Sequence, residues 1–166
     1  VSFSCASNPG TLRVGLIEIA GQTLEVVQGG RDLAIVSAAS FTPVVAPGSI
    51  ASVFGLELAT GVEASTAIPL ATVLAGSRVS TYDGKSGGFE APLFFVSPTQ
   101  INFYVPERLQ PADGSILVSN VNGMGSLGPM KIERVAPALF AANANGQGVP
   151  AAVVLRIKTN GAQSYE

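Results

Sequence analysis

Turn-forming clusters recur along the whole chain, and the apolar runs between them are too short for anything but strands. Asn8-Pro9-Gly10, Ala46-Pro47-Gly48, the run from Asp83 to Gly88, Ser97-Pro98-Thr99, the run from Gln110 to Gly114, Asn122-Gly123 and Thr159-Asn160-Gly161 are such clusters. Gly, Pro, Asn and Asp punctuate a backbone because they supply positive φ, a fixed φ or a local side-chain bond. The runs between them read as strands over Ala34–Ser37, Ser49–Gly55, Ser77–Tyr82, Ala91–Ser97, Gln100–Tyr104, Gly114–Ser119 and Pro129–Val135. Seven short strands with frequent turns predict an all-β chain, an immunoglobulin-like β-sandwich. No stretch sustains a helical period, and the Ala-rich piece at 141–145 is short and broken by Asn.

Both ends read as partial sandwich strands. Leu16–Ala20 and Thr23–Val27 flank Gly21-Gln22 as a hairpin, with Ile17, Ile19, Leu24 and Val26 facing inward and Glu18 and Glu25 wet. Val149–Ile157 reads as one apolar strand before Thr159-Asn160-Gly161, and the chain stops where a return strand is expected to begin. The expected organisation is therefore terminal sandwich strands over 1–30, a sandwich over 31–140 and the first strands of a further β unit over 141–166.

Composition narrows the function. The chain is 47% hydrophobic and 12% charged with a mean hydropathy of +0.43, which argues for a packed core and against disorder. Its nine basic residues are scattered singly in a net charge of −2, so nucleic acid is not an expected partner. The uncharged stretches 33–56 and 135–155 are cut by Pro43, Pro47 and Gly48, and by Pro137, Gly146 and Pro150, so no transmembrane segment is expected. No signal peptide opens the chain, which fits a cytosolic or an already processed protein.

Catalysis is not expected. Histidine is absent and Cys5 is the only cysteine, which removes triads, thiol–imidazole pairs and the usual zinc ligands. Asp83, Glu90, Glu107 and Asp113 fall in turns or at strand ends, where a solvated carboxylate is the ordinary case and a glycosidase-like pair is not expected. Asp83-Gly84 and Asp113-Gly114 lack the dense oxygen spacing of a calcium loop. No metal and no cofactor is expected. Of the lysines, only Lys131 is ambiguous as a buried partner for an isopeptide bond. Cys5 alternates with Val1 and Phe3 and reads as a buried structural thiol, with an intermolecular disulfide as the rival reading.

Three segments carry a resemblance. Pro47-Gly48-Ser49-Ile50-Ala51-Ser52-Val53-Phe54-Gly55, then the run from Ala91 through Ser97-Pro98-Thr99-Gln100-Ile101-Asn102-Phe103-Tyr104 to Pro106, then Ala136-Pro137-Ala138-Leu139-Phe140 resemble the uncharacterised Solibacter-type C-terminal domain of acidobacterial secreted proteins. The first half of that domain is similar to the TIG/IPT immunoglobulin-like fold, and the resemblance spans residues 34–166. Arg13, Gly15, the Ala20–Thr23 turn and Gln28 resemble the last strands of a BACON-type module. The resemblance implies an extracellular or cell-surface protein with no established catalytic residues, and more strands beyond Glu166.

The expected function is that of an extracellular structural or adhesive β-sandwich, self-associating into a filament or ring by strand complementation. Val1, Phe3 and Cys5 at one end and Val153, Leu155 and Ile157 at the other are the candidate insertion residues. The alternative is a cell-surface carbohydrate-binding module, with Tyr82, Tyr104, Gln100 and Asn102 as candidate glycan contacts. For Gln100 and Asn102 the reading as polar caps on a wet face is preferred to that of ligand contacts. An exposed pair of tyrosines beside Asn or Gln is what the glycan reading asks of the fold.

Overall fold

The computed structural model describes residues 13–28, 33–121 and 125–165. The chain is all-β there. β1 (Arg13–Ile19) and β2 (Gln22–Gln28) form one hairpin. β3 (Ala34–Ser37), β4 (Ile50–Phe54), β5 (Glu63–Ala64), β8 (Leu93–Val96) and β9 (Gln100–Tyr104) make a five-stranded sheet in the order β3-β4-β9-β8-β5. β6 (Arg78–Tyr82), β7 (Gly88–Glu90), β10 (Ala112–Ser119) and β11 (Gly125–Ile132) make a four-stranded sheet in the order β11-β10-β6-β7. β12 (Leu155–Ile157) and β13 (Gln163–Tyr165) form a second hairpin. Every pairing between strands is antiparallel. No helix is long and apolar enough to cross a membrane among the described residues.

Period-two alternation builds the core. β6 buries Val79 and Thr81, β9 buries Ile101 and Phe103, and β10 buries Ile116 and Val118, while their neighbours turn outward. Because a strand points successive side chains to opposite faces, each sheet has one apolar side, and the two sides meet in one cluster. Val53, Leu93, Ile101 and Phe103 come from one sheet, and Val79, Ile116, Val118, Met130 and Ile132 from the other. Leu58 and Leu74 enter from the long β4–β6 connection, and Leu109 from the β9–β10 loop.

One side of the sandwich is closed by contact between the sheets. A Cβ on Gly128 of β11 would sit 2.8 Å from the Cβ of Leu33, just before β3, so the two edges approach closely there. Val45 then runs parallel to the end of β11, its N–H donating to the Lys131 carbonyl at 3.0 Å and its carbonyl accepting from Glu133 N–H at 2.9 Å. The Lys131 carbonyl thus faces away from β10. Pro129, two residues earlier, has its nitrogen on that same free side and removes no ladder bond.

Several expectations need correction. Strict alternation along the expected Ala91–Ser97 strand turns Leu93 and Phe95 inward together, but a bulge between them shifts the register so that Phe95 opposes Asn102 and Val96 takes the buried position. Ile50 and Phe54, core residues if the whole Ser49–Gly55 strand packed inward, are half-buried at the two ends of β4. The N-terminal hairpin turns on Ala20-Gly21, one residue earlier than expected, both with positive φ (51° and 77°) as a type I′ turn requires. Gly88 was assigned to a turn but starts β7, and β10 begins at Ala112 rather than at Gly114, where a Cβ would run into the Tyr82 carbonyl oxygen. The last apolar strand covers 155–157 rather than 149–157, and its return strand β13 is present. The β11 strand runs over 125–132 instead of 129–135.

Candidate functional site

Asp83 departs furthest from expectation. Its carboxylate is buried, with 2% of the residue exposed, at the end of β6. One oxygen accepts the N–H groups of Lys85 (2.7 Å) and Ser86 (2.6 Å) inside the β6–β7 loop, and the other accepts Gln110 N–H at 2.7 Å from the β9–β10 loop. The amides of Ser86, Gln110 and Lys85 together hold its carboxyl far below the usual carboxylate range. Both oxygens are thus used to tie two loops together. The carboxylate acts as a clip, where sequence position had suggested a solvated charge.

Lys131, ambiguous in sequence, has a side chain about half exposed, with Nζ 3.7 Å from the Glu133 carboxylate. It is not the buried amine that an isopeptide bond needs. Glu90 accepts the Ser80 hydroxyl at 2.8 Å on the surface. Glu107 accepts the Tyr104 hydroxyl at 2.7 Å, which raises the pKa of that phenol.

The four candidate glycan contacts separate into two groups. Tyr82 lies on the outer side of β6, opposite Gly88 of β7, with its ring over the glycine where a Cβ would otherwise sit. Gln100, Asn102 and Tyr104 alternate with the buried Ile101 and Phe103, so they share the outer face of the other sheet. The two tyrosines therefore stand on opposite outer faces and do not form one cluster. On the β9 face, Asn102 Oδ1 accepts both the Ser52 hydroxyl (2.9 Å) and Gln100 Nε2 (2.8 Å).

The candidate insertion residues Val1, Phe3 and Cys5 lie outside the described residues. Val153 precedes β12 and is 74% exposed. Leu155 and Ile157 alternate around Arg156, and Leu155 opposes Tyr165. Leu155, Ile157 and Tyr165 thus share one face of the hairpin, exposed by 44%, 63% and 72%. Between Val135 and Val154 the chain also exposes Leu139, Phe140 and Val149, and it touches the turn after β3 where Gly146 lies against Phe41 and Ser40. Sequence reasoning missed this cover, because a glycine contact with a distant turn leaves no local pattern. In comparison with known proteins, no family model matched the chain, and neither a curated protein nor a solved structure did.

Proposed function

We propose that the protein is an extracellular, non-catalytic structural or adhesive β-sandwich that associates with further copies of itself through its terminal hairpins. The observation that carries this reading is the uncovered apolar face of Leu155, Ile157 and Tyr165. A two-stranded hairpin is marginal in water until its apolar face packs on something, and exposed apolar patches mark contact surfaces. The β1–β2 hairpin offers a second, smaller surface, where Leu24, 47% exposed, shares a face with Ile17 and Ile19. Since β12 already pairs with β13, association uses a hairpin face and its free edge rather than a lone inserted strand. Contact between the two different hairpins is heterologous, so repetition gives a ring or a filament. The resemblance to secreted Solibacter-type and BACON-type modules supports the extracellular setting.

Light scattering on the whole chain tests the reading. Wild type forms assemblies that grow with concentration, and Leu155→Asp with Ile157→Asp reduces them to a single monomer peak with an unchanged circular dichroism spectrum. A wild type that stays monomeric at all concentrations refutes it. The second reading, a cell-surface carbohydrate-binding module, is favoured by one observation: Gln100, Asn102 and Tyr104 share the outer face of one sheet, opposite the buried Ile101 and Phe103.

A further inference from the structure

The outer face of the five-stranded sheet holds two amide groups that the fold orients and leaves half used. Strand register lines up Val36, Ser52, Asn102, Phe95 and Ala64 in one row across all five strands. Ala34, Phe54 and Gln100 form the next row, and Ile50 opposes Tyr104 on the far side. These rows contain no charged residue. At their border the Glu107 carboxylate is bonded to the Tyr104 hydroxyl.

Within the rows Ser52 is the fixed point. It is only 2% exposed although it faces outward, and its hydroxyl donates to Asn102 Oδ1. Gln100 Nε2 donates to the same oxygen. With both lone pairs of Oδ1 taken, the direction of the Asn102 amide is set. Asn102 Nδ2 then donates to no group, and Gln100 Oε1 accepts from none, among the described residues. A half-buried amide with an open donor beside an open acceptor favours a partner that supplies both. Aromatic rings flank the pair: Phe95 is the neighbour of Asn102 across the strands, Phe54 that of Gln100, and Tyr104 follows Asn102 on the same face.

We infer that this face binds an uncharged polysaccharide chain, with Asn102 Nδ2 donating to one sugar hydroxyl, Gln100 Oε1 accepting from another, and the sugar C–H faces packing on Phe54, Phe95 and Tyr104. The inference rests on the second reading above and assigns its site. A sugar hydroxyl is donor and acceptor at once, so a run of them meets both open groups. Aromatic rings supply apolar area with little conformational cost, the complement of a sugar's C–H face. An anionic or cationic partner finds no opposite charge in these rows. The bulge at Leu93/Phe95 matters here, since it moves Phe95 from the core side to the binding side.

Native gels containing soluble β-glucan, xyloglucan, mannan or dextran test the site, with anionic alginate as the control. Wild type is retarded by at least one neutral polysaccharide and not by alginate. Gln100→Ala, which keeps the Ser52–Asn102 bond, weakens that retardation about tenfold, the loss expected of roughly one well-made hydrogen bond. Tyr82→Ala on the opposite sheet leaves it unchanged. Asn102→Ala strips the partner from the buried Ser52 hydroxyl and puts folding at risk, so Phe95→Ala is the second variant and also weakens binding. Retardation that survives Gln100→Ala and Phe95→Ala overturns the site but leaves the carbohydrate reading. No retardation by any neutral polysaccharide overturns both. Self-association abolished by Gln100→Ala without sugar binding assigns the face to a second copy and also overturns the inference.

Discussion

Two phenylalanines that look alike in the sequence respond differently to truncation, and the difference measures the β8 bulge. Phe95 and Phe103 each occupy an alternating apolar position of adjacent strands. Phe103 is fully buried, opposite Ala51 on one side and Leu93 on the other. Phe95 is half-buried on the outer face beside Asn102. An aromatic side chain buries about 150–250 Å² in a core, which at about 25 cal/mol per Å² is about 4–6 kcal/mol for the whole ring. Truncation keeps the Cβ but leaves a cavity, and Phe→Ala in packed cores costs about 3–5 kcal/mol. The cavity at Phe103 has little means of closing, because its neighbours sit on hydrogen-bonded strands of one sheet. Phe103→Ala therefore costs about 4 kcal/mol. Phe95→Ala leaves no enclosed void and loses about half of that transfer energy, about 2–3 kcal/mol. In a sandwich of this size a loss of 1 kcal/mol lowers Tm by about 4–8 °C, so the two variants separate by about 4 °C or more. Chemical and thermal unfolding, followed by circular dichroism with an unchanged denaturant slope, give both values. Equal losses at the two positions refute the bulge, and a loss below about 1.5 kcal/mol at Phe103 refutes the core assignment.

Asp83→Asn keeps the shape of the clip but turns an amide NH2 toward at least one backbone N–H, and it is expected to loosen the β6–β7 and β9–β10 loops, read as faster amide hydrogen exchange at Lys85, Ser86 and Gln110. The same carboxylate sets an acid dependence. Its pKa is lowered in the folded protein, so the unfolded chain takes up its proton first as pH falls below about 4. The stability it contributes is complete above that value, declines below it, and is lost once pH falls through the folded pKa. Unfolding titrations between neutral pH and about pH 2 show a shallower acid loss in Asp83→Asn than in wild type, and parallel curves refute the clip. Gly114→Ala places a Cβ against the Tyr82 carbonyl oxygen, a backbone atom held in the ladder, and lowers stability by about 3 kcal/mol in urea unfolding. A neutral result there means the β6–β10 approach is looser than described.

Periodicity determined the fold class and most of the core. Val53, Val79, Leu93, Ile101, Phe103, Ile116, Val118 and Ile132 were legible as inward residues because alternation is a local property, and strand after strand repeats it. Absent histidine and a single cysteine limited the chemistry before any coordinates were needed. Tertiary structure decided what alternation does not carry. One extra residue at the β8 bulge reverses facing, so Phe95 and Val96 exchange roles with no change of composition. Asp83 looks like any turn aspartate until the β9–β10 loop brings Gln110 N–H to it, a contact 27 residues away in sequence. Tyr82 and Tyr104 share a residue type and a place at a strand end, yet the assignment of β6 and β9 to different sheets puts them on opposite faces. The Ser52–Asn102–Gln100 chain likewise needs β4 and β9 side by side, since the register of strands 50 residues apart is set by packing across the sandwich and not by either strand alone.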